Sequence, residues 1–291
     1  MDDFLHGMDW VLPLRSEAAT AVFQAFTALG YFPFYLLALP LAYWLWDRGA
    51  ATRLVVLIML SAILNGLLKD VFDDPRPAIE YALDGKVGDS YGLPSGHAQL
   101  AFAAWGWLAM ELRTRWGWVL AAVVIAGICF SRLYLGVHDV EDVLAGSVIG
   151  LLSLVLYAAA QPPRFAAWYA LASHTRILVA AVVLVPLFLL WPEPDGPGGL
   201  EVVPAFLLGW YVGTRLDERQ GPTERHAAWP RALLAAAIGI GLVFGLFALP
   251  ATPLTSLGVP ESLVALLRTA LLGLLVTALA PWGFRRLGLA A

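Results

Sequence analysis

Long runs of mostly apolar residues, separated by short polar or charged stretches, recur along almost the whole sequence. A transmembrane helix needs about 20 such residues, within a range of about 17 to 25. Because runs of this length dominate the chain, the sequence predicts an all-α fold, a polytopic transmembrane helical bundle with about nine spans. We place the spans near residues 28–46, 52–71, 97–112, 117–135, 140–160, 175–191, 200–215, 231–249 and 262–281.

The composition agrees with a membrane protein and excludes other classes. Hydrophobic residues make up 60% of the 291 residues and the mean hydropathy is +0.74, whereas soluble domains are about 45 to 50% apolar. The net charge of -4 provides no basic surface for nucleic acid. Cys129 is the single cysteine, so no intrachain disulfide can form, and we expect it to pack in the core. Tryptophan favours the membrane–water interface and lies where spans should end, at Trp44, Trp46, Trp116, Trp118, Trp191, Trp229 and Trp282.

The first residues carry no pattern of a cleaved signal peptide. Residues 1–15 contain acids and lack an apolar core of the required length, so we expect the first span to direct insertion. Residues 16–27 alternate small, apolar and polar side chains, which predicts an interfacial helix. A rigid continuation of the first span is the alternative. The sequence assigns no chemistry to His6, His174 and His226, which have no partner pattern.

Lys and Arg are divided unevenly between the two sides of the predicted bundle. Cytoplasmic loops carry an excess of these residues. With nine spans, twelve of the 18 basic residues fall on one side and five on the other, and Arg268 lies inside the last span. The minority side holds Arg15, Lys69, Arg76, Lys86 and Arg132. We therefore predict that this side and the N-terminus lie outside the cytoplasm of a bacterium, in its inner membrane, with the C-terminus inside.

Three short polar motifs stand out against the apolar background. They are Lys69 with Arg76-Pro77, then Pro94-Ser95-Gly96-His97, then Ser131-Arg132 followed by His138 and Asp142. The first ends the second span, and the next opens the third span. Spans three and four form a hairpin that returns the last motif to the same face. The sequence therefore predicts one site, on the face that is turned away from the cytoplasm.

The residue types of these motifs suit a phosphoryl group. Its transfer depends on positioning and on stabilisation of charge. Lys69 supplies a point charge, while Arg76 and Arg132 supply planar forks for bidentate contacts. The Ser95 hydroxyl and the backbone amides that follow it add donors at the positive end of a helix dipole. We predict that phosphate is bound by Lys69, Arg76, Ser95, Gly96 and Arg132.

Two histidines and an aspartate can carry the reaction. His138 lies four residues before Asp142, so on a helix the carboxylate can hold one imidazole nitrogen. The other nitrogen is then free to attack phosphorus. His97 is the candidate general acid for the leaving oxygen, and water would hydrolyse the phosphohistidine. We expect no cofactor and no metal, since the sequence has neither HExxH nor paired cysteines.

The three motifs can be written K-x6-RP, PSGH and SR-x5-H-x3-D. In this form they resemble the signature of the type 2 phosphatidic acid phosphatase (PAP2) family, over roughly residues 28–160. The resemblance implies that His97 is the acid, His138 the nucleophile and Asp142 the residue that orients it. It also implies that the five phosphate-binding residues form the pocket.

Each motif also has a purely structural explanation. The basic residues at helix ends could be interfacial anchors, the histidine–aspartate pair a structural contact, and the Pro-Ser-Gly stretch a turn and helix cap. All of these would have to hold at once on one face, so we favour the phosphate site. Asp73 and Asp74 could compete with phosphate for Arg76.

Together these features predict a membrane lipid phosphatase that hydrolyses a lipid phosphate or pyrophosphate at the outer leaflet, such as undecaprenyl pyrophosphate or phosphatidic acid. One alternative is a phosphotransferase with a lipid or sugar acceptor, and another is a lipid-headgroup-binding transport protein. Residues 1–162 are predicted to be the catalytic core. Residues 163–291 add spans beyond the resemblance, which could form a homodimer interface, a wall for the lipid tail or a separate module. Their turn at residues 193–199 should lie on the active-site face.

Overall fold

The described part of the chain is largely α-helical. The computed structural model describes residues 5–86, 90–162, 166–167, 171, 173–192, 198–219 and 229–289, and contains no β-strand within them. His226 and most of the predicted turn, residues 193–197, lie outside the described residues. The all-α class is therefore confirmed.

The helix boundaries follow the apolar segments of the sequence. The helices are α1 Glu17–Ala28, α2 Phe32–Leu45, α3 Arg48–Phe72, α4 Gly96–Leu112, α5 Arg115–Tyr134, α6 Val140–Ala159, α7 Ser173–Leu189, α8 Val202–Arg219, α9 Trp229–Ala248, α10 Thr252–Thr255, α11 Glu261–Leu274 and α12 Ala280–Arg286. A π-helical segment, Leu275–Leu279, joins the last two, and 3-10 turns cover Leu12–Leu14 and Ile79–Tyr81. Each apolar segment predicted as a span coincides with helix.

Five helical stretches among the described residues are long and apolar enough to cross a membrane. They are Arg48–Phe72, Arg115–Tyr134, Val140–Ala159, Trp229–Ala248 and Glu261–Arg286. A sixth arises if α1 and α2, which are bent by 52° at a short break, count as one span. These helices support an integral membrane protein, and the number nine stays a prediction because the other predicted spans lie on shorter or less apolar helices.

By contacts, the chain divides into two compact units, and the first consists of Met1–Phe34 and Leu57–Gly198. Within it, α4 packs against both α5 and α6. The contact with α6 is close because two glycines face the α4 backbone. A Cβ at Gly146 would lie 2.4 Å from the Ser95 carbonyl oxygen, and one at Gly150 would lie 2.3 Å from that of Gln99. Glycine is therefore needed at both positions for this approach.

A buried polar cluster joins α3 to α4 in the same unit. The Gln99 amide nitrogen donates to the carbonyl and hydroxyl oxygens of Ser61, both at 2.9 Å. The Asn65 amide in turn donates to the Gln99 side-chain oxygen at 2.9 Å and to the Pro94 carbonyl at 3.2 Å. Because buried polar groups are costly unless paired, these bonds fix the position of α4 along α3.

The N-terminal segment lies against the end of α5 in the first unit. Met8 and Val11 are buried in a cluster with Tyr134, Leu135 and Val137. In α1, which begins after the capping residue Ser16, the Phe23 ring packs on Tyr134 with centroids 4.5 Å apart. The predicted helix at residues 16–27 thus forms and packs on α5, and its interfacial position stays a prediction.

The second unit consists of Tyr35–Val56 and Gly199–Ala291. Asp217 of α8 is 2% exposed and binds two arginines, Arg48 at the start of α3 and, at 2.9 Å, Arg285 of α12. The π-helical segment in this unit has a local cause. Pro281 has no N–H for the carbonyl four residues earlier, and that carbonyl of Thr277 faces the Tyr43 hydroxyl at 3.5 Å.

Candidate active site

All residues of the three motifs lie in the first unit. Lys69 is in the last turn of α3, Ser95 precedes α4, and Arg132 is in the last turn of α5. His138 lies in the connection before α6, whose first turn carries Asp142. The Ser95 backbone N–H donates to the Asp142 backbone carbonyl at 2.9 Å, which ties the second motif to the third. The helix ends therefore bring the motifs together, as the sequence predicts.

His138 and Asp142 form a buried pair. The distance from His138 Nδ1 to Asp142 Oδ2 is 2.8 Å, and the two side chains are 2% and 1% exposed. With Nδ1–H donating to the carboxylate, the lone pair is on Nε2. Nη1 of Arg76 lies 3.0 Å from Nε2 and can donate to that lone pair. Burial, followed by the charges of Arg76, Arg132 and Lys69, lowers the pKa of His138 well below 6.5, so the imidazole is neutral at pH 7.

Arg76 is held by the loop that carries it and by the His138 segment. Its Nε donates to the Ser90 carbonyl at 2.6 Å, its Nη2 to the Ser90 hydroxyl at 2.9 Å, and its Nη1 to the Val137 carbonyl at 2.8 Å. Burial and then the charge of Arg132 lower the pKa of Arg76 to about 10. The guanidinium is therefore still charged at neutral pH and lies beside the reactive nitrogen.

Asp73 and Asp74, which the sequence suggested as competitors, are not among the partners of Arg76 within the described residues. The Asp74 backbone carbonyl instead accepts from the N–H of Gly92 at 2.8 Å. Lys69 also has a local role in this loop, since its Nζ donates to the carbonyls of Tyr91 and Gly92, the latter at 3.0 Å. The ammonium is thus held at the site by backbone oxygens.

Four buried polar atoms of the motif residues have no hydrogen-bond partner in the described part of the chain. They are Oγ of Ser95, Nε2 of His97, Nε of Arg132 and Oδ1 of Asp142. Buried polar groups are nearly always paired with protein or water, and leaving one unpaired costs about 1 to 3 kcal/mol. Ser95, His97 and Arg132, from the second and third motifs, therefore keep polar atoms that can donate to an anionic ligand.

His97 occupies a narrow space beside the connection between α1 and α2. A Cβ at Gly30 would lie 2.3 Å from Cδ2 of His97, so the ring fits only because residue 30 is glycine. The Tyr31 ring meets the imidazole edge-on, with centroids 4.6 Å apart. These contacts orient the ring without using its Nε2 atom.

Arg132 binds a carboxylate that motif analysis did not select. Its Nη1 lies 3.0 Å from Oδ2 of Asp84 and also donates to the hydroxyl of Thr27. Oδ2 of Asp84 accepts from the Tyr31 hydroxyl as well. Sequence reasoning missed these three partners, because they belong to no motif and are distant in sequence. The available signal was the concentration of acids in the loop that contains Asp84.

The sequence also assigned no role to His6, which the structure places next to the His138–Asp142 segment. His6 Nδ1 is 2.9 Å from Oδ2 of Asp139, and its Nε2 is 3.2 Å from Oε2 of Glu141. Asp139 caps α6 and accepts from the Asp142 backbone N–H at 3.0 Å, while its own N–H donates to Asp142 Oδ2 at 3.3 Å. His6 is thus linked to the catalytic candidates through one aspartate.

Two regions of the chain are similar to one known protein family. Residues 50–166 match the PAP2 superfamily, and residues 202–291 match the transmembrane extension of PAP2 superfamily phosphatases. The chain belongs to the PAP2 superfamily. The second match also includes most of the later helices, which the motifs alone left outside the resemblance.

Several curated proteins are similar to this PAP2 chain. Human sphingosine-1-phosphate phosphatase 2 is 33% identical over 184 residues, which cover 60% of this chain and 44% of the human protein. Lipid phosphate phosphatase delta of Arabidopsis thaliana is 32% identical over 154 residues, covering 47% of this chain and 37% of the relative. Dolichyldiphosphatase of Saccharomyces cerevisiae is 26% identical over 138 residues, with coverages of 43% and 58%. The chain therefore spans about half the length of these relatives.

Two solved structures resemble part of the fold. They are the PAP2-type phosphatidylglycerolphosphate phosphatase of Bacillus subtilis, with a TM-score of 0.46, and LpxE of Aquifex aeolicus, with a TM-score of 0.47. Both are 24% identical and cover 52% of this chain, and the matches cover 81% and 92% of the two structures.

Proposed function

We propose that this PAP2 protein is a lipid phosphatase that hydrolyses a lipid phosphate or pyrophosphate at the membrane surface, through a phosphohistidine at His138. One observation carries the proposal. Asp142 accepts from Nδ1 of His138, and Arg76 lies at the opposite ring nitrogen, Nε2. An oriented, neutral imidazole with a cationic fork at its lone pair suits attack on a phosphoryl group.

The proposed reaction has two steps. The phosphoryl group binds to Arg76, Arg132 and the donors around Ser95, which displaces Arg76 from the lone pair of His138. Nε2 of His138 then attacks phosphorus, the bond from phosphorus to the lipid oxygen breaks, and His97 gives a proton to that oxygen. In the second step water attacks phosphorus and returns a proton to His97. The N–P bond breaks, and inorganic phosphate leaves.

Charge stabilisation in this scheme comes from side chains. Lys69, Arg76 and Arg132 supply the positive charge that metal ions supply in many other phosphoryl-transfer enzymes. We therefore propose that the reaction proceeds without a metal ion.

A binding or transport protein would need the cationic groups but not the oriented histidine. The buried hydrogen bond between His138 and Asp142 therefore favours an enzyme over a headgroup-binding transporter. Hydrolysis and phosphotransfer share the phosphohistidine intermediate. The two reactions can therefore be distinguished only by their product, inorganic phosphate or a phosphorylated acceptor.

We further propose that the site opens outside the cytoplasm of a bacterial cell. The excess of Lys and Arg on the opposite side supports this orientation. In a bundle of nine spans, consecutive spans run in opposite directions, so particular helix ends share one face. Contacts inside each unit agree with this arrangement. In the first unit, Trp191 at the end of α7 donates to Asp70 at the end of α3 at 2.6 Å. In the second, Asp217 near the end of α8 binds arginines at the start of α3 and in α12.

The function is tested by phosphate release from purified protein with a panel of lipid phosphates and pyrophosphates. We expect turnover by the wild-type protein, loss of at least about 100-fold in His138→Ala, and wild-type rates in the control His174→Ala, which changes an exposed histidine of α7. EDTA should leave the rate unchanged, and vanadate should inhibit.

Phosphate transfer to an added lipid or sugar alcohol in place of water would favour the phosphotransferase. Wild-type turnover by folded His138→Ala protein would refute the mechanism. Loss of activity in EDTA that a divalent ion restores would require a metal instead.

A further inference from the structure

The loop between the first two motifs brings a carboxylate, Asp84, into a site that is built for an anion. Asp84 is 9% exposed, and its Oδ2 accepts from Arg132 at 3.0 Å and from the Tyr31 hydroxyl. Burial acts to raise the pKa of Asp84, but the hydrogen bonds from Tyr31 and Arg132 outweigh it and lower the pKa below 3.8. The side chain is therefore a buried negative charge that the proposed mechanism does not use.

Asp84 lies on the side of the site where the leaving group departs. The Tyr31 hydroxyl donates to Asp84, and the same ring packs edge-on against His97, with centroids 4.6 Å apart. In the proposed reaction His97 protonates the leaving oxygen, so the leaving group must lie beside His97. The nucleophile His138 is instead held by Arg76 and Asp142.

From this placement we infer that Asp84 is a specificity residue that selects substrates by the charge of their leaving group. It favours lipid phosphomonoesters, whose alcohol is neutral or carries an ammonium group, over lipid diphosphates. The inference rests on the proposed function and narrows its substrate class.

The two substrate types differ in the charge that forms next to Asp84. With a monoester, the breaking P–O bond releases an alkoxide oxygen that takes the proton of His97, and the alcohol departs neutral. With a diphosphate, the leaving group is the lipid phosphate, which is still an anion after it takes this proton. A like charge near a buried carboxylate is unfavourable, whereas an ammonium group near the leaving oxygen is attracted.

Asp84 also restricts which edge of Arg132 is available to the substrate. Nη1 of Arg132 is used by Asp84 and Thr27, while its buried Nε has no partner among the described residues. Asp84→Asn keeps the shape and an acceptor oxygen for these donors, and removes the charge. The variant therefore separates the electrostatic effect of Asp84 from its effect on the position of Arg132.

The experiment compares kcat/KM for three substrates with the same tail: an alkyl phosphate, the corresponding diphosphate and an amino-alcohol phosphate. We expect the wild-type protein to favour both monoesters over the diphosphate by about tenfold or more, which corresponds to at least about 1.4 kcal/mol. In Asp84→Asn this ratio should approach one, and any advantage of the ammonium group should shrink. Glu80→Gln removes an exposed charge from the same loop and should leave the ratio unchanged.

A preference of the wild-type protein for the diphosphate, or the same ratio in Asp84→Asn as in wild type, would overturn the inference. Calorimetric titration of the detergent-solubilised protein with inorganic phosphate and with pyrophosphate gives a readout that does not need turnover. We expect Asp84→Asn to strengthen pyrophosphate binding more than phosphate binding, by several-fold. If the wild-type protein turns over none of the three substrates, the proposed function is refuted, and the calorimetric ratio still decides the effect of Asp84.

Discussion

At the scale of single residues, His138 is held by hydrogen bonds that extend outward to the first residues of the chain. Asp142 orients His138, Asp139 caps the helix that carries Asp142, and His6 contacts Asp139. Both ring nitrogens of His6 lie within 3.2 Å of carboxylate oxygens, those of Asp139 and Glu141. Only the imidazolium form can donate at both, so the contact between the N-terminal segment and α6 depends on pH.

The first prediction concerns this contact. The hydrogen bond with Asp139, together with the charges of Asp139, Glu141 and Asp74, raises the pKa of His6 above 6.5. A group whose pKa is raised by folding stabilises the protein below its unfolded pKa, and this contribution is lost as pH rises through the folded pKa. The melting temperature of wild type should therefore exceed that of His6→Ala most clearly below pH 6.5.

The measurement is thermal unfolding of both proteins in detergent at several values between about pH 5 and 9. His174→Ala serves as the control, and its difference from wild type should not vary in this way. A difference for His6→Ala that grows as the pH rises would contradict the prediction.

The sequence predicts which motif residues meet, but not what they bind in the folded chain. The spacing of the motifs and the direction of the spans place Lys69, His97 and Arg132 at one site. This can be predicted because the order of the spans decides on which face each helix end lies. Asp84 and His6 were missed because their partners lie 48 and 133 residues away in the chain. Contacts between residues so far apart follow no helix or strand periodicity in the sequence. They become visible only when the course of the loops in the folded chain is known.

At the scale of helices, two glycines of α6 determine how closely α6 approaches the start of α4. Gly146 faces the Ser95 carbonyl, and Gly150 faces that of Gln99. The Ser95 N–H also donates to Asp142 in the first turn of α6. A change in the spacing of these helices therefore moves the second motif relative to the third.

The second prediction follows from this spacing. A Cβ in Gly146→Ala would lie 2.4 Å from the Ser95 carbonyl oxygen, so α6 must shift. We expect a loss of stability of about 1 to 3 kcal/mol and a marked loss of phosphatase activity. The readouts are thermal unfolding in detergent and phosphate release.

Gly245→Ala is the matched control, since a Cβ at this exposed position of α9 meets no atom within 4 Å. It should keep activity and leave stability unchanged or slightly higher, because alanine favours helix over glycine. Equal effects of the two substitutions would show that the close approach at Gly146 is unimportant.

Helix positions were more predictable than helix shape. The apolar runs locate the helices to within a few residues, because burial in lipid requires their length and composition. The bend of 52° between α1 and α2 and the π-helical segment Leu275–Leu279 were not predicted. Pro281 is a local signal for the π-helical segment, but the contact of the Thr277 carbonyl with the Tyr43 hydroxyl joins residues far apart in the chain.

At the scale of the whole molecule, the proposed orientation places the site on the side of the membrane away from the cytoplasm. The third prediction uses single cysteines in a Cys129→Ala background. Gly85→Cys places a thiol in the exposed loop between the first two motifs, where a Cβ meets nothing within 4 Å. Arg115→Cys places one at the exposed start of α5. In intact cells or spheroplasts, a membrane-impermeant maleimide should label the first, and the second only after permeabilisation.

The matched control is the Cys129→Ala protein itself, which has no thiol and should not be labelled under either condition. The reverse labelling pattern would place the site on the inner leaflet. A phosphatase that acts on lipids at the outer surface would then be excluded, although the chemistry of the site would be unaffected.

The polar cluster between α3 and α4 has a consequence for how the protein is made. α3 meets the length and hydropathy expected of a membrane span. The 17-residue α4 is shorter and carries Gln99, whose amide is satisfied by Ser61 of α3. Because α3 precedes α4 in the chain, we expect α3 to enter the bilayer first, on its own hydropathy. The polar side chain of α4, which the sequence predicts as a span, would then enter against a partner that already lies in the membrane.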